Sequence, residues 1–244
     1  MKKVFLLCYM IFSISLYANE SPEVDMSNDI IKTVIADQKY IIDKSEIVIK
    51  VPDFADNPVQ VPIFIDASKI KNVQRLVVFA DYNPIPKILD MTVKDFLPIF
   101  STNIKVAHET PIRVLVQDEH NIWHIASSII KSAGGGCDVS SQASENEEFS
   151  NLLGTTKGKI FNRKNTQRIK ASIFHPMETG LIFGNPEFFV ERIIIKNKDK
   201  IVSDMEITSV ISENPRFTFE TDKSFKDLSI NFIDNTGDNY LLKL

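Results

Sequence analysis

Apolar and polar residues alternate along most of the chain with a period of two, the spacing of a half-buried β-strand. Glu46–Val51 alternates in this way, and Val59–Ile65 does so after an Asp56-Asn57-Pro58 turn, with Pro62 marking an edge strand. Gln74–Tyr82, Pro111–Gln117 and Ile122–Lys131 continue the pattern. In the second half the same reading predicts strands at Arg168–Phe174, Phe188–Lys196, Met205–Ile211, Arg216–Glu220, Ser229–Ile233 and Asn239–Leu242. The last pair is joined by Asp234-Asn235-Thr236-Gly237, a hairpin signal. Only residues 27–39 show helical spacing: Ile30, Ile31, Val34 and Ile35 lie behind a Ser27/Asn28 cap. The expected fold is all-β, with two immunoglobulin-like antiparallel sandwiches and one short helix before the first.

A polar stretch separates the two halves. From Asp138 to Lys159 the chain is rich in Ser, Asn, Glu, Thr and Gly and poor in apolar residues, so a flexible linker is predicted over 138–163. The first domain then covers 19–137 and the second 164–244.

Residues 1–18 carry Lys2 and Lys3, an apolar run from Val4 to Leu16 and a small-residue site ending at Ala18. This reads as a cleaved Sec-type export signal and implies a periplasmic location. Cleavage removes Cys8 and leaves Cys137 as the one cysteine of an acidic chain, whose net charge before cleavage is −4. The charge balance argues against nucleic acid or an anionic membrane as a partner. A lone cysteine in an oxidising compartment pairs outside its own chain or serves as a reactive thiol.

Cys137 follows Gly134, Gly135 and Gly136, which pack no side chain and accept either sign of φ. The expectation is a thiol on a mobile, exposed arm, able to form a disulfide-linked homodimer. Its acidic neighbours Asp138, Glu145, Glu147 and Glu148 are the opposite of the cationic setting that activates a catalytic thiol, so no catalytic residue is assigned. No cofactor is expected either. His108, His120, His124 and the His175/Met177 pair lack the spacing of a closed metal-ligand set. In His175-Pro176-Met177-Glu178-Thr179-Gly180, Pro176 ends strand pairing and Gly180 permits a tight reversal, so His175, Pro176, Met177, Glu178 and Gly180 read as a structural turn, available as an interface.

Several strings together resemble a known pair of families. VPDFADNPVQVPI (51–63), DYNPIPKI (81–88), TPIRVLVQ (110–117) and SAGGGC (132–137) are similar to SoxY, the sulfur-carrying subunit of the Sox thiosulfate-oxidation system. IKASIFHPMETG (169–180), ISENPRFTFE (211–220) and INFIDNTGDNY (230–240) resemble its partner SoxZ. The resemblance implies a single-chain SoxYZ fusion with intramolecular pairing of two immunoglobulin-like domains. It also implies a non-enzymatic periplasmic carrier whose arm cysteine, here Cys137, is loaded by a c-type cytochrome. A sulfate-releasing hydrolase and a sulfur dehydrogenase then process the adduct. Two features depart from the pattern: SoxY arms usually end the chain as Gly-Gly-Cys-Gly-Gly, and their signals usually carry twin arginines. SoxYZ-like fusions also occur beside quinoprotein alcohol dehydrogenases, which makes an accessory carrier for such an enzyme the alternative reading.

Overall fold

The computed structural model describes residues 29–137 and 151–244, so the proposed signal and most of the acidic stretch after Cys137 lie outside the described residues. Within them, helix α1 (Asp29–Ile35) precedes sixteen strands. The first half contributes β1 (Tyr40–Ile42), β2 (Val48–Lys50), β3 (Phe54–Ala55), β4 (Val61–Asp66), β5 (Arg75–Ala80), β6 (Lys87–Thr92), β7 (Ile99–Ile104), β8 (Thr110–Gln117) and β9 (Trp123–Ser132). The second contributes β10 (Thr156–Asn162), β11 (Gln167–Ile173), β12 (Val190–Asn197), β13 (Lys200–Ile207), β14 (Arg216–Thr221), β15 (Leu228–Asp234) and β16 (Asn239–Lys243).

The fold is all-β and sandwich-like, with pairing antiparallel except where β1 and β3 lie parallel to β9. The two halves do not stand apart as separate sandwiches. One sheet runs β1-β9-β8-β5-β6-β13-β12-β15-β16, and the facing sheet runs β10-β11-β14-β7-β4-β2. Each sheet crosses from one half to the other through a single antiparallel pair. β6 meets β13 with Met91 opposite Met205, and β7 meets β14 with Phe100 opposite Phe219. Four strands that would otherwise end in unpaired N–H and C=O groups are therefore satisfied by one another.

Side chains follow the same logic. Phe96 and Phe100 of the first half interleave with Phe217, Phe219 and Phe225 of the second, Phe100 lying 5.8 Å from Phe219 and Phe96 lying 5.9 Å from Phe225 between ring centroids. One core runs from Ile47 to Leu242 across the junction. The alternate residues of β5 and β8 point the other way, where Val77, Phe79 and Leu115 join Trp123 and Ile125 beneath Ile31 and Ile35 of α1. Both faces of β5 and β8 are thus covered, and their sequences read as nearly continuous apolar runs.

Within the range 138–163 predicted as linker, residues 138–150 lie outside the described residues, while β10 occupies Thr156–Asn162 and pairs along its whole length with β11. It is an edge strand with Lys157, Lys159 and Phe161 exposed, so only one face needs apolar residues, and that face carries Gly158 and Ile160. A side chain at 158 would meet Leu242 Cδ2 at 2.7 Å, which is why so little hydrophobic signal marks this strand.

The seam makes a sharp expectation. Phe219 is fully buried and touches Phe96, Phe100 and Phe217, so Phe219→Ala should cost about 3–5 kcal/mol. Trp123, the one tryptophan, lies in the other half. Its fluorescence midpoint in urea should shift together with the far-UV dichroism. A Trp123 transition that stays put would mean that the halves unfold independently.

Candidate functional site

Strand β9 ends at Ser132, and the three glycines turn the chain back against the loop that follows β7. The Gly134 N–H donates to Ser132 Oγ at 3.0 Å, Gly135 N–H to the Ala107 carbonyl at 3.2 Å, and Gly136 N–H to the Val106 carbonyl at 3.2 Å. Gly134 and Gly135 have φ of 97° and 87°, the left-handed region that glycine adopts without penalty. Gly136 is needed for a different reason. A Cβ there would lie 2.2 Å from the Pro58 carbonyl oxygen and 2.4 Å from that of Val106.

These contacts carry Cys137 into the protein rather than out of it. The cysteine is 0% exposed, and its carbonyl accepts the Thr179 hydroxyl at 3.4 Å. The expected exposed arm is therefore docked in this structure. The physical reason is that each glycine N–H finds an acceptor and the thiol, a small apolar group, gains by leaving water.

The receiving loop is itself built with care. Asn83, from the DYNPIPKI string, donates to the Lys105 carbonyl at 2.8 Å and accepts the Ala107 N–H at 2.9 Å. Pro58 of the first string accepts the Val106 N–H at 2.8 Å. Two residues before Asn83, Asp81 is gripped by the buried Arg113 guanidinium, with Nε 3.0 Å from Oδ2.

Lys105 joins this loop to the second half. It is 4% exposed, and its ammonium donates to the carbonyls of Met177 and, at 3.1 Å, Ser209. Burial pulls its pKa down to about 8, while Coulombic attraction, first of all to Glu178, holds it up against that pull. The ammonium is still mostly charged at neutral pH. Cys137 thus lies between two segments, 105–107 and 177–179, that one buried cation ties together.

The segment 175–180 leaves strand β11 and packs against Lys105 and Cys137. Met177 adopts a left-handed φ of 53°, and its N–H donates to His175 Nδ1 at 3.2 Å. Pro176 is buried, and the exposed Gly180 has φ of 70° in the reversal. Glu178 pairs through its backbone with Phe188, and His175 exchanges bonds with Asn214. His175 itself is fully buried, with its ring 4.5 Å from that of Phe188 and Nε2 3.9 Å from Asp234 Oδ2. Because Nδ1 accepts, the proton of the neutral ring sits on Nε2 and faces the carboxylate. Burial pushes the His175 pKa down to about 4, and the Asp234 charge offsets only part of this. Burial raises Asp234, but hydrogen bonds from Thr236, Tyr240 and Asp238 outweigh it and leave the carboxyl lower than usual.

His124 stands apart, between Asp43 at 3.0 Å and Asp118 at 3.6 Å. His120 is exposed beside Glu119, and His108 lies near Gly134. Among the described residues no cluster of three or more His, Cys, Asp or Glu is placed to hold a metal ion.

Residues 31–137 match the family described as "Sulfur oxidation protein SoxY", and residues 159–241 match "Sulphur oxidation protein SoxZ". The chain is a SoxY segment joined to a SoxZ segment. Among solved structures it is similar to the sulfur carrier protein SoxY from Chlorobium limicola f thiosulfatophilum, at 22% identity and a TM-score of 0.40, covering 44% of this chain and 96% of that one. No curated protein matches. The two families imply a carrier role in sulfur oxidation and a SoxY–SoxZ pairing within the Sox system. In this chain that pairing is the pair of shared sheets.

The SoxY segment ends at Cys137, and the turn that touches it belongs to the SoxZ half. Sequence reasoning found both but missed Lys105, Asn83 and Thr179. A lone lysine inside Ile104-Lys105-Val106-Ala107, an otherwise apolar run, was the available signal.

Two measurements follow. Gly136→Ala cannot dock, so iodoacetamide should alkylate Cys137 at least tenfold faster in this variant than in the parent, with little change in melting temperature; equal rates would show that docking does not protect the thiol. For His175, the folded pKa of about 4 lies below the ordinary 6.5, so the unfolded chain binds the proton more readily. Stability is intact above pH 6.5 and falls by roughly 3 kcal/mol toward pH 4, since each pKa unit is worth about 1.36 kcal/mol. In urea titrations across that range, the difference between His175→Gln and the parent should shrink as pH falls.

Proposed function

We propose that this chain is a periplasmic covalent carrier of sulfur-oxidation intermediates, exported through residues 1–18, with Cys137 as the attachment residue and Gly134–Gly136 as its swinging arm. The observation that carries this reading is the place of Cys137: it closes the SoxY segment, hangs on three glycines and rests against the SoxZ turn 177–179.

Loading is an oxidation of the thiol with thiosulfate. Cys137–SH and S2O3²⁻ form Cys137–S–S–SO3⁻, releasing one proton and two electrons, which the haems of a c-type cytochrome accept. A partner hydrolase then adds water across the S–SO3 bond, leaving Cys137–S–S⁻ and releasing sulfate and two protons. A sulfur dehydrogenase oxidises the remaining sulfur. The chain performs none of these steps. It contributes the thiol, the reach of the arm and a buried resting place.

Docked and released arms must exchange for this cycle to run. Two glycine N–H bonds and the long Thr179 contact hold the cysteine end, and at about 0.5–1.5 kcal/mol each they cost little to break. Released arms of two chains can pair as a disulfide-linked homodimer.

Incubation with thiosulfate and an oxidising c-type cytochrome should add one thiosulfate unit to the Cys137 peptide by mass spectrometry, and Cys137→Ser should show none. A bare thiol under conditions that load a separate-subunit SoxYZ control would sink the proposal.

A further inference from the structure

The chain is acidic overall, yet one face of it is not. On the outer surface of β10, β11 and β14, Lys157, Lys159, Lys170 and Arg216 line an open groove of about 370 Å³ together with Phe161. Alternation places these side chains outward, because Ile169, Ala171, Phe217 and Phe219 take the core positions of the same strands. No carboxylate among the described residues forms a salt bridge with any of the four cations. The neighbouring Arg168 differs, since Glu220 holds its guanidinium with Nε 2.7 Å from Oε1.

The arrangement is costly as it stands. Lys159 lies directly opposite Lys170 in the β10–β11 register, and like charges directly opposite one another destabilise a sheet. Both ammonium groups lean over the Phe161 ring, at 5.4 and 5.9 Å from its centroid. Protection of an exposed edge explains lysines on β10, but Lys170 and Arg216 sit on strands paired on both sides. Among the described residues this repulsive pair has no ion-pair partner, so an anionic surface brought by another molecule would relieve it.

The spacing says by what. Residues two apart on a strand are about 7 Å apart and three strands span about 10 Å, so the charges form a plate and do not converge on one ion. We propose that this face is a docking platform for a carboxylate-rich surface of a partner protein. It deepens the carrier reading, on which it rests for the identity of the partners as the enzymes that act on Cys137. The position suits that role. The row Lys157–Ser172–Arg216 adjoins Asn214 and Ser212; Ser212 bonds the Val59 carbonyl, one residue from the Pro58 oxygen against which Gly136 packs. The 212–216 segment thus links the plate to the strand end against which the arm docks.

The test uses the whole chain and a fluorescein-labelled poly-glutamate peptide, read by anisotropy at low salt. Lys159→Glu/Lys170→Glu should weaken binding at least tenfold. Lys196→Glu/Lys226→Glu, an equal charge change at exposed lysines elsewhere, should weaken it less than twofold. Added sodium chloride should weaken parent binding, with a Debye length of about 10 Å at 0.1 M. The double variant also keeps charge on the edge strand, so its melting temperature should not fall. Equal loss in both variants, or no binding by the parent, overturns the platform. Two further results would also overturn it. One is competition by sulfate beyond that of sodium chloride at matched ionic strength, which marks a small-anion site. The other is parent self-association abolished by the double variant, which marks a contact between copies. Cys137 takes no part in this assay, so failure to load thiosulfate and failure to bind the peptide are separate outcomes.

Discussion

Unpaired main-chain groups at a sheet edge must find partners, and this protein meets that constraint by joining its halves strand to strand. β6 and β13 close one sheet and β7 and β14 the other, so neither sandwich has a free edge at the junction. The phenylalanine cluster beneath them could not be dry without that closure. Everything near Cys137 is downstream of it. β7 delivers Lys105, and the loop before β14 delivers Ser209, Ser212 and Asn214. If the seam were displaced by one residue, the ammonium of Lys105 would lose its acceptors and face apolar surroundings as an unpaired buried charge.

On the proposed carrier reading, the arm balances shelter against release. A carrier thiol exposed at all times is open to any oxidant, and one held by side-chain packing is difficult to present. In that reading, three glycines contribute only main-chain groups to the docking contacts, which are directional and individually weak. Geometry then supplies the selectivity. Gly136 fits only because no Cβ intrudes on two carbonyl oxygens, so the docked state tolerates no other residue at that position without moving. Binding energy is kept out of the arm and placed in its receiving loop, where Asn83, Pro58 and Lys105 fix the acceptors beforehand.

His175 and Asp234, far apart in sequence, are brought together as a structural device. Both are fully buried, the histidine is neutral at ordinary pH, and the carboxylate already accepts bonds from Thr236, Asp238 and Tyr240. Their chemistry is spent on shaping the turn whose next residues, Met177 and Thr179, meet Lys105 and Cys137. The plate of Lys157, Lys159, Lys170 and Arg216 on the outer face, by contrast, forms no salt bridge among the described residues.

Period-two alternation determined the all-β class and most strands, because burial of one sheet face imposes that period directly on the chain, and the i, i+4 spacing of Ile30, Ile31, Val34 and Ile35 marked the short helix. The quoted strings likewise marked Cys137 and the 175–180 turn. What the sequence could not convey was which edges meet. β6 and β7 lie between prolines in short segments and were not read as strands, yet they form the seam; β10 was hidden because an edge strand needs few apolar residues. The buried state of Cys137 was likewise decided by tertiary structure. Local composition showed a flexible arm, while the carbonyls of 106 and 107 that accept from it, the Thr179 hydroxyl that donates to it and the Pro58 carbonyl it packs against are distant in sequence and adjacent only once both sheets have closed.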